Sequence, residues 1–248
     1  MSDPSPQAAL GGRSPFKLLD PYAENDRAIF FGREEEVDTL YRLLGESPLV
    51  LVYGRSGTGK TSIIQCGLTS KFSPTSWLPV MVRRGDDINA SLLAAIATQA
   101  ITPIPAGTSL TEAIRSVYLD HLRPIYFIFD QFEELYVLGQ KSEQERFYGA
   151  VREILASDVA CRMIVSLREE YLAGLDRFEQ VVPTLFDKRL RVEAMTNANI
   201  EKVIVGTVAA NDIKLENGSA TARKIIEEIA DGQGQVQLAY LQVYLDHL

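Results

Sequence analysis

Apolar residues recur along this chain in two rhythms, helical spacing of about 3.6 residues and short unbroken runs, and the two take turns. From Glu34 onward Val37, Leu40, Tyr41 and Leu44 share one helical face and predict a helix with one buried side. Residues 49–53 are an unbroken apolar run closed by Gly54, the pattern of a strand buried on both faces. A helix is expected to open at Lys60 and Thr61, with a second strand over 78–83 and further helices over 91–100 and 110–122. Residues 125–129 are the most apolar run and predict a central strand. A helix over 142–156 turns Phe147, Val151, Ile154 and Leu155 inward. Strands follow at 163–167 and, more weakly, at 190–192. Such alternation predicts an α/β fold, a parallel sheet with helices on both faces.

Beyond Thr196 the strand pattern stops. Ile200, Val203 and Ile204 mark one helix, and Ala222, Ile225, Ile226 and Ile229 a second. Leu238, Leu241, Leu245 and Leu248 mark a third. The expected organisation is a mobile Ser/Pro/Gly-rich tail over 1–15, a core over 16–195, and a small all-helical lid over 196–248. Tyr240, Val243 and Tyr244 widen the apolar face of the last helix beyond one stripe, as expected of a fragment cut from a longer protein.

Composition narrows the function. With 46% apolar and 23% charged residues the chain suits a soluble globular protein. Its 25 basic and 33 acidic side chains leave a net charge of -8, which argues against a broad nucleic-acid footprint. Cys66, Cys161, His121 and His247 stand apart from one another. They show no zinc or iron–sulfur spacing and suit a reduced intracellular setting. No apolar run reaches the ~18–20 residues of a membrane span, and the start lacks a signal-peptide pattern. A cytoplasmic protein is expected.

The candidate chemistry begins at Gly54-Arg55-Ser56-Gly57-Thr58-Gly59-Lys60-Thr61, a full match to the phosphate-binding loop of P-loop NTPases. Glycines at Gly54, Gly57 and Gly59 let backbone N–H groups, with those of Ser56 and Thr58, curl around phosphates. Lys60 is expected to reach the β- and γ-phosphates, and the Thr61 hydroxyl to ligate Mg2+. Ser62 continues into the helix whose N-terminus faces the anion. The strand over 125–129 ends in Asp130, placed to hold Mg2+ beside the loop. Past it, Gln131-Phe132-Glu133-Glu134 supplies two carboxylates, either catalytic or solvated acids opening a helix. Glu134 is slightly preferred as the base. Ser166-Leu167-Arg168 ends the fourth strand, where Arg168 would sense the γ-phosphate or else pair with Glu169 or Glu170.

In order, these motifs resemble the STAND class of P-loop NTPases, signal-transduction ATPases related to NACHT and apoptotic-switch proteins. The resemblance is strongest to a bacterial group and runs from about Ser14 to the end. It rests also on Pro15-Phe16-Lys17, Phe30-Phe31-Gly32-Arg33-Glu34 and Leu238-Ala239-Tyr240-Leu241-Gln242. It implies that Phe31, Gly32 and Arg33 pack against the adenine end of ATP or ADP. It also implies that Glu133 and Glu134 are the family's acidic pair, and that the helical part closes as a lid. Ala239 replaces the usual proline, and Gln131 stands where many related ATPases carry glutamate, so the base must lie further on.

The function expected is an ATP-binding, slowly hydrolysing switch whose ATP state favours self-association, with antiviral defence or signalling implied by the resemblance. Sensor and effector partners are not legible. A nucleic-acid remodelling AAA-like ATPase and a small-molecule kinase are the competing readings. Acidic charge counts against the first, and the absence of a recognisable acceptor pocket against the second.

Overall fold

Each apolar run identified above becomes a parallel strand in the computed structural model, which describes residues 16–18, 20–232 and 234–246. The strands are β1 (Leu49–Gly54), β2 (Leu78–Val82), β3 (Ile125–Phe129), β4 (Cys161–Arg168) and β5 (Arg189–Arg191), in the order β2-β3-β4-β1-β5. Alternate residues of each central strand sort into two apolar layers. Leu49, Leu51, Phe127, Phe129, Met163 and Val165 face one layer; Val50, Val52, Tyr126, Ile128 and Ile164 face the other.

Helix α1 (Glu34–Glu46) covers the second layer together with the segment that starts as α2 (Lys60–Ser62). That segment winds on as a π-type turn, Ile63–Gly67, and a 3-10 turn, Leu68–Lys71, instead of the plain helix expected. The α1 face also differs from expectation. Leu43 is buried where Tyr41 was expected, and Tyr41 is 43% exposed, its ring edge on Phe72 at 5.0 Å. The opposite layer is covered by α3 (Ile88–Gln99), α4 (Leu110–His121), the single turn α5 (Glu134–Val137), α6 (Lys141–Ala156) and α7 (Asp176–Val181). Helix α3 begins three residues before the expected Ser91, because the Asp87 carboxylate caps the N–H groups of Asn89 and Ala90.

After β5 come α8 (Asn197–Ala210), α9 (Ser219–Ile229) and α10 (Leu238–Asp246). They share a separate apolar cluster that includes Ile200, Ile204, Ala222, Leu241 and, from the other end of the chain, Phe16. The expected tail over 1–15, with Pro15, and the terminal His247 and Leu248 lie outside the described residues.

The loop after β2 is braced by a buried ion pair. Arg84 donates to Glu143 Oε2 at 2.8 Å, and Glu143 Oε1 accepts the N–H of Ile88 at 2.8 Å. Removing one partner of a buried pair strands the other charge. We expect Glu143→Ala to lower stability by about 3–5 kcal/mol in denaturant titration. A loss below about 1 kcal/mol, the scale of an exposed pair, would show that the brace carries little.

Candidate functional site

Parallel register brings the chemistry-bearing residues into one row. Val82 pairs with Phe129, and Phe129 with Val165, so Arg83 and Asp130 leave their strands beside Ser166, near the carboxyl end of the sheet. On the next strand Gly54 pairs with Arg168, which sets the start of the phosphate loop beside β4. Ligands bind in parallel α/β sheets at this end, and a cleft of about 450 Å³ opens there.

Gly57 and Gly59 take left-handed φ of +75° and +89°, a backbone state that glycine reaches without strain. Gly54 is a glycine for a different reason. A Cβ there would lie 2.2 Å from the Val192 carbonyl oxygen, so its constraint is backbone packing on the chain after β5. Thr58 is buried, its hydroxyl donating to the Arg55 carbonyl at 3.0 Å, while Ser56, Gly57, Gly59, Lys60, Thr61 and Ser62 line the cleft. The Lys60 ammonium folds back onto the loop, donating to the carbonyls of Gly54 at 2.8 Å and Arg55 at 2.9 Å. Burial pushes its pKa below the ordinary value, against the pull of the Glu133 and Asp130 carboxylates. An anion in the cradle would pull it back up.

The Thr61 hydroxyl lies 3.2 Å from both Asp130 oxygens, well beyond the ~2.5–2.7 Å of a strong O–H···O⁻ bond. A hydroxyl and a carboxylate held this loosely, beside a phosphate loop, form an oxygen donor set suited to Mg2+. The Asp130 side chain is 2% exposed, and Arg83 donates to its Oδ2 at 3.1 Å. Arg83 was not singled out from the sequence. Its only signal there was its place at the end of the expected second strand.

Gln131 follows in a left-handed conformation, φ +55°, unusual for a side chain of its kind. The kink reverses the chain so that Phe132 N–H donates to the Ser166 carbonyl at 2.9 Å. It also turns Glu133 toward the cleft, where its carboxylate pairs with Arg168 Nε at 3.0 Å and accepts the Arg168 N–H at 3.3 Å. Glu134, preferred from the sequence, opens α5 and is not among the residues lining the cleft. Arg168 pairs with neither Glu169 nor Glu170. Glu169 is taken by Arg55 and Arg191. The Ser166 hydroxyl is buried, lines the cleft and has no hydrogen-bond partner among the described residues.

The apolar part of the cleft lining includes Leu18, Pro21, Phe30, Phe31, Met195 and Leu238, with Ala239. Of the three residues expected at the adenine end, Phe31 lines the cleft and packs on Gly206 of α8. Gly32 sits under Asn199 of α8, away from the cleft lining. Arg33 is buried, lines the cleft and acts as a clamp, donating to the carbonyls of Thr58 at 2.8 Å and Glu193 at 2.9 Å while pairing with Glu36. Tyr22, unmarked by any periodicity, crosses the cleft. Its N–H donates to Ser62 Oγ at 3.1 Å and its hydroxyl to Gln242 Oε1 of α10 at 3.0 Å, and burial pushes its pKa up to about 12.

Several solved structures share this fold. The Walker-type ATPase PABY2304 of Pyrococcus abyssi matches with a TM-score of 0.62 at 16% identity, over 92% of this chain and 69% of that one. Cdc6p from Pyrobaculum aerophilum matches at 0.58 and 18% identity, over 85% of this chain and 59% of that one. The ORC2 protein of Aeropyrum pernix matches at 0.52 and 16% identity, over 86% and 67%. A search of curated proteins finds no match. Among the described residues no helix is long and apolar enough to cross a membrane. The glycine loop, the acidic strand end and the parallel sheet are those of a P-loop NTPase, and with residues 15–248 matching the family described as Novel STAND NTPase 1, the chain belongs to that family.

Proposed function

We propose that this chain is the ATP-binding, slowly hydrolysing switch domain of a STAND-type signalling or defence protein, whose bound nucleotide controls self-association. The observation that carries the reading is one cleft. It holds a phosphate loop, a Thr61–Asp130 oxygen pair and the Glu133–Arg168 pair, and it reaches α10 through Tyr22 and Gln242. Lys60 and the N–H groups of 54–61 bind phosphate, and Thr61 and Asp130 hold Mg2+, which when bound neutralises charge on the terminal phosphates. Glu133 serves as base for the attacking water, Arg168 as γ-phosphate contact, and Phe31 as part of the adenine wall.

Slow turnover suits the ion pairs seen here. Glu133 is tied to Arg168 and Asp130 to Arg83, so both carboxylates must be released before they act. An activating arginine from a neighbouring subunit, worth ~10³–10⁵ in rate, would be absent from a monomer.

The proposed organisation is a core over 16–195 and a lid over 196–248. The lid helices bury their own cluster yet touch the core through the Lys17 and Tyr22 bonds to Gln242. Hydrogen exchange without nucleotide, with ADP and with a non-hydrolysable ATP analogue tests the switch. Protection across α8–α10 should change by on the order of tenfold between states, the imprint of differential affinity for the closed form. Identical protection in all three, with nucleotide bound, would remove the lid from the proposal.

A further inference from the structure

The proposed function gives Arg83 no contact with the nucleotide, although it makes the one ion pair of Asp130 among the described residues. Its backbone is fixed on both sides. Asp130 N–H donates to the Val82 carbonyl at 3.2 Å, and the Arg84 carbonyl accepts from Ser91 Oγ at 2.8 Å. The Arg84 guanidinium is itself locked on buried Glu143. Only the Arg83 side chain, 52% exposed, is free to swing from this anchored base.

Asp130 needs a positive partner, because a carboxylate that is 2% exposed is costly to leave unpaired. Arg83 fills that need by bonding Oδ2, one of the two oxygens that face Thr61. A guanidinium and a divalent cation on one carboxylate oxygen repel each other, so Arg83 and Mg2+ compete for Asp130. Once displaced, Arg83 keeps its charge and stays on the rim of the cleft with Lys60 and Thr61. An anion suited to its forked donors is then the terminal phosphate of a triphosphate. A diphosphate offers nothing at that position.

We propose that Arg83 is an exchangeable cation that reports the γ-phosphate: it yields Asp130 to the metal when a triphosphate receives it, and holds Asp130 when the nucleotide is a diphosphate. This rests on the nucleotide-site reading above. It makes Arg83 a residue that sets the preference for ATP over ADP, with Arg84 and Glu143 positioning it.

Calorimetric titration of ATP and ADP, each with and without Mg2+, tests the exchange in the wild type and in Arg83→Gln and Arg83→Lys. In Arg83→Gln the ratio of ATP to ADP affinity in Mg2+ should fall by on the order of tenfold, the scale of one lost charge-assisted bond. Its ADP binding should also respond to lower Mg2+ concentrations, since no cation opposes the metal. Arg83→Lys, which keeps the charge, should recover part of the ratio. An unchanged ratio, or equal losses for both nucleotides, in a variant that melts like the wild type would overturn the exchange. Failure of the nucleotide-site reading looks different: the wild type itself would bind neither nucleotide.

Discussion

Replacing Lys60 by alanine is expected to abolish ATP binding, with affinity falling on the order of 100-fold or more. The Lys60 ammonium bonds the carbonyls of its own loop, Gly54 and Arg55. An incoming β- or γ-phosphate replaces those two neutral acceptors with a charged one. The protein thus gains a charge-assisted bond, and the anion offsets the cost that burial imposes on the charged form. Alanine keeps the backbone cradle, so the fold should be unaffected while the triphosphate loses its main counter-charge. Calorimetry with Mg-ATP measures the effect. Affinity within threefold of the wild type would mean that the loop does not grip phosphate in this way.

The second large effect is expected at Glu133. Glu133→Gln should leave ATP affinity within a few-fold of the wild type and slow hydrolysis by roughly 10²–10⁴, the range contributed by a general base. Glutamine keeps the shape and the acceptor for Arg168 N–H but cannot take a proton from water. Two companion variants make the assignment specific. Glu134→Gln, altering a side chain outside the cleft lining, should hydrolyse ATP at near the wild-type rate. Asp130→Asn should weaken Mg2+-dependent binding, since it removes the charge shared by Thr61 and Arg83. Single-turnover assays at saturating nucleotide separate binding from chemistry. Loss of hydrolysis in Glu134→Gln with full activity in Glu133→Gln would reverse the roles.

Periodicity alone located every strand of the described residues to within about two residues and separated the sheet-forming region from the helices that follow it. It could do so because a helix or strand buried on a sheet must repeat its apolar side chains in step with its own geometry. The phosphate loop was equally plain, since its glycines, lysine and threonine are consecutive in the chain. Which side chains meet across the fold was not plain. The order of Glu133 and Glu134 in the site hung on a left-handed backbone at Gln131, a state its side chain does not advertise. Arg83 reached Asp130 through the register of β2 on β3, and Tyr22 reached Gln242 across 220 positions. Arg33, expected near the adenine end, lines the cleft and also ties Thr58 to Glu193, because burial leaves a guanidinium no solvent and sends its donors to the nearest carbonyls. Local pattern reports which face of an element is dry, so elements and the loop motif were readable from the chain. Partners are chosen by strand register and by the packing of distant segments, so only the tertiary structure decided which charges the site brings together.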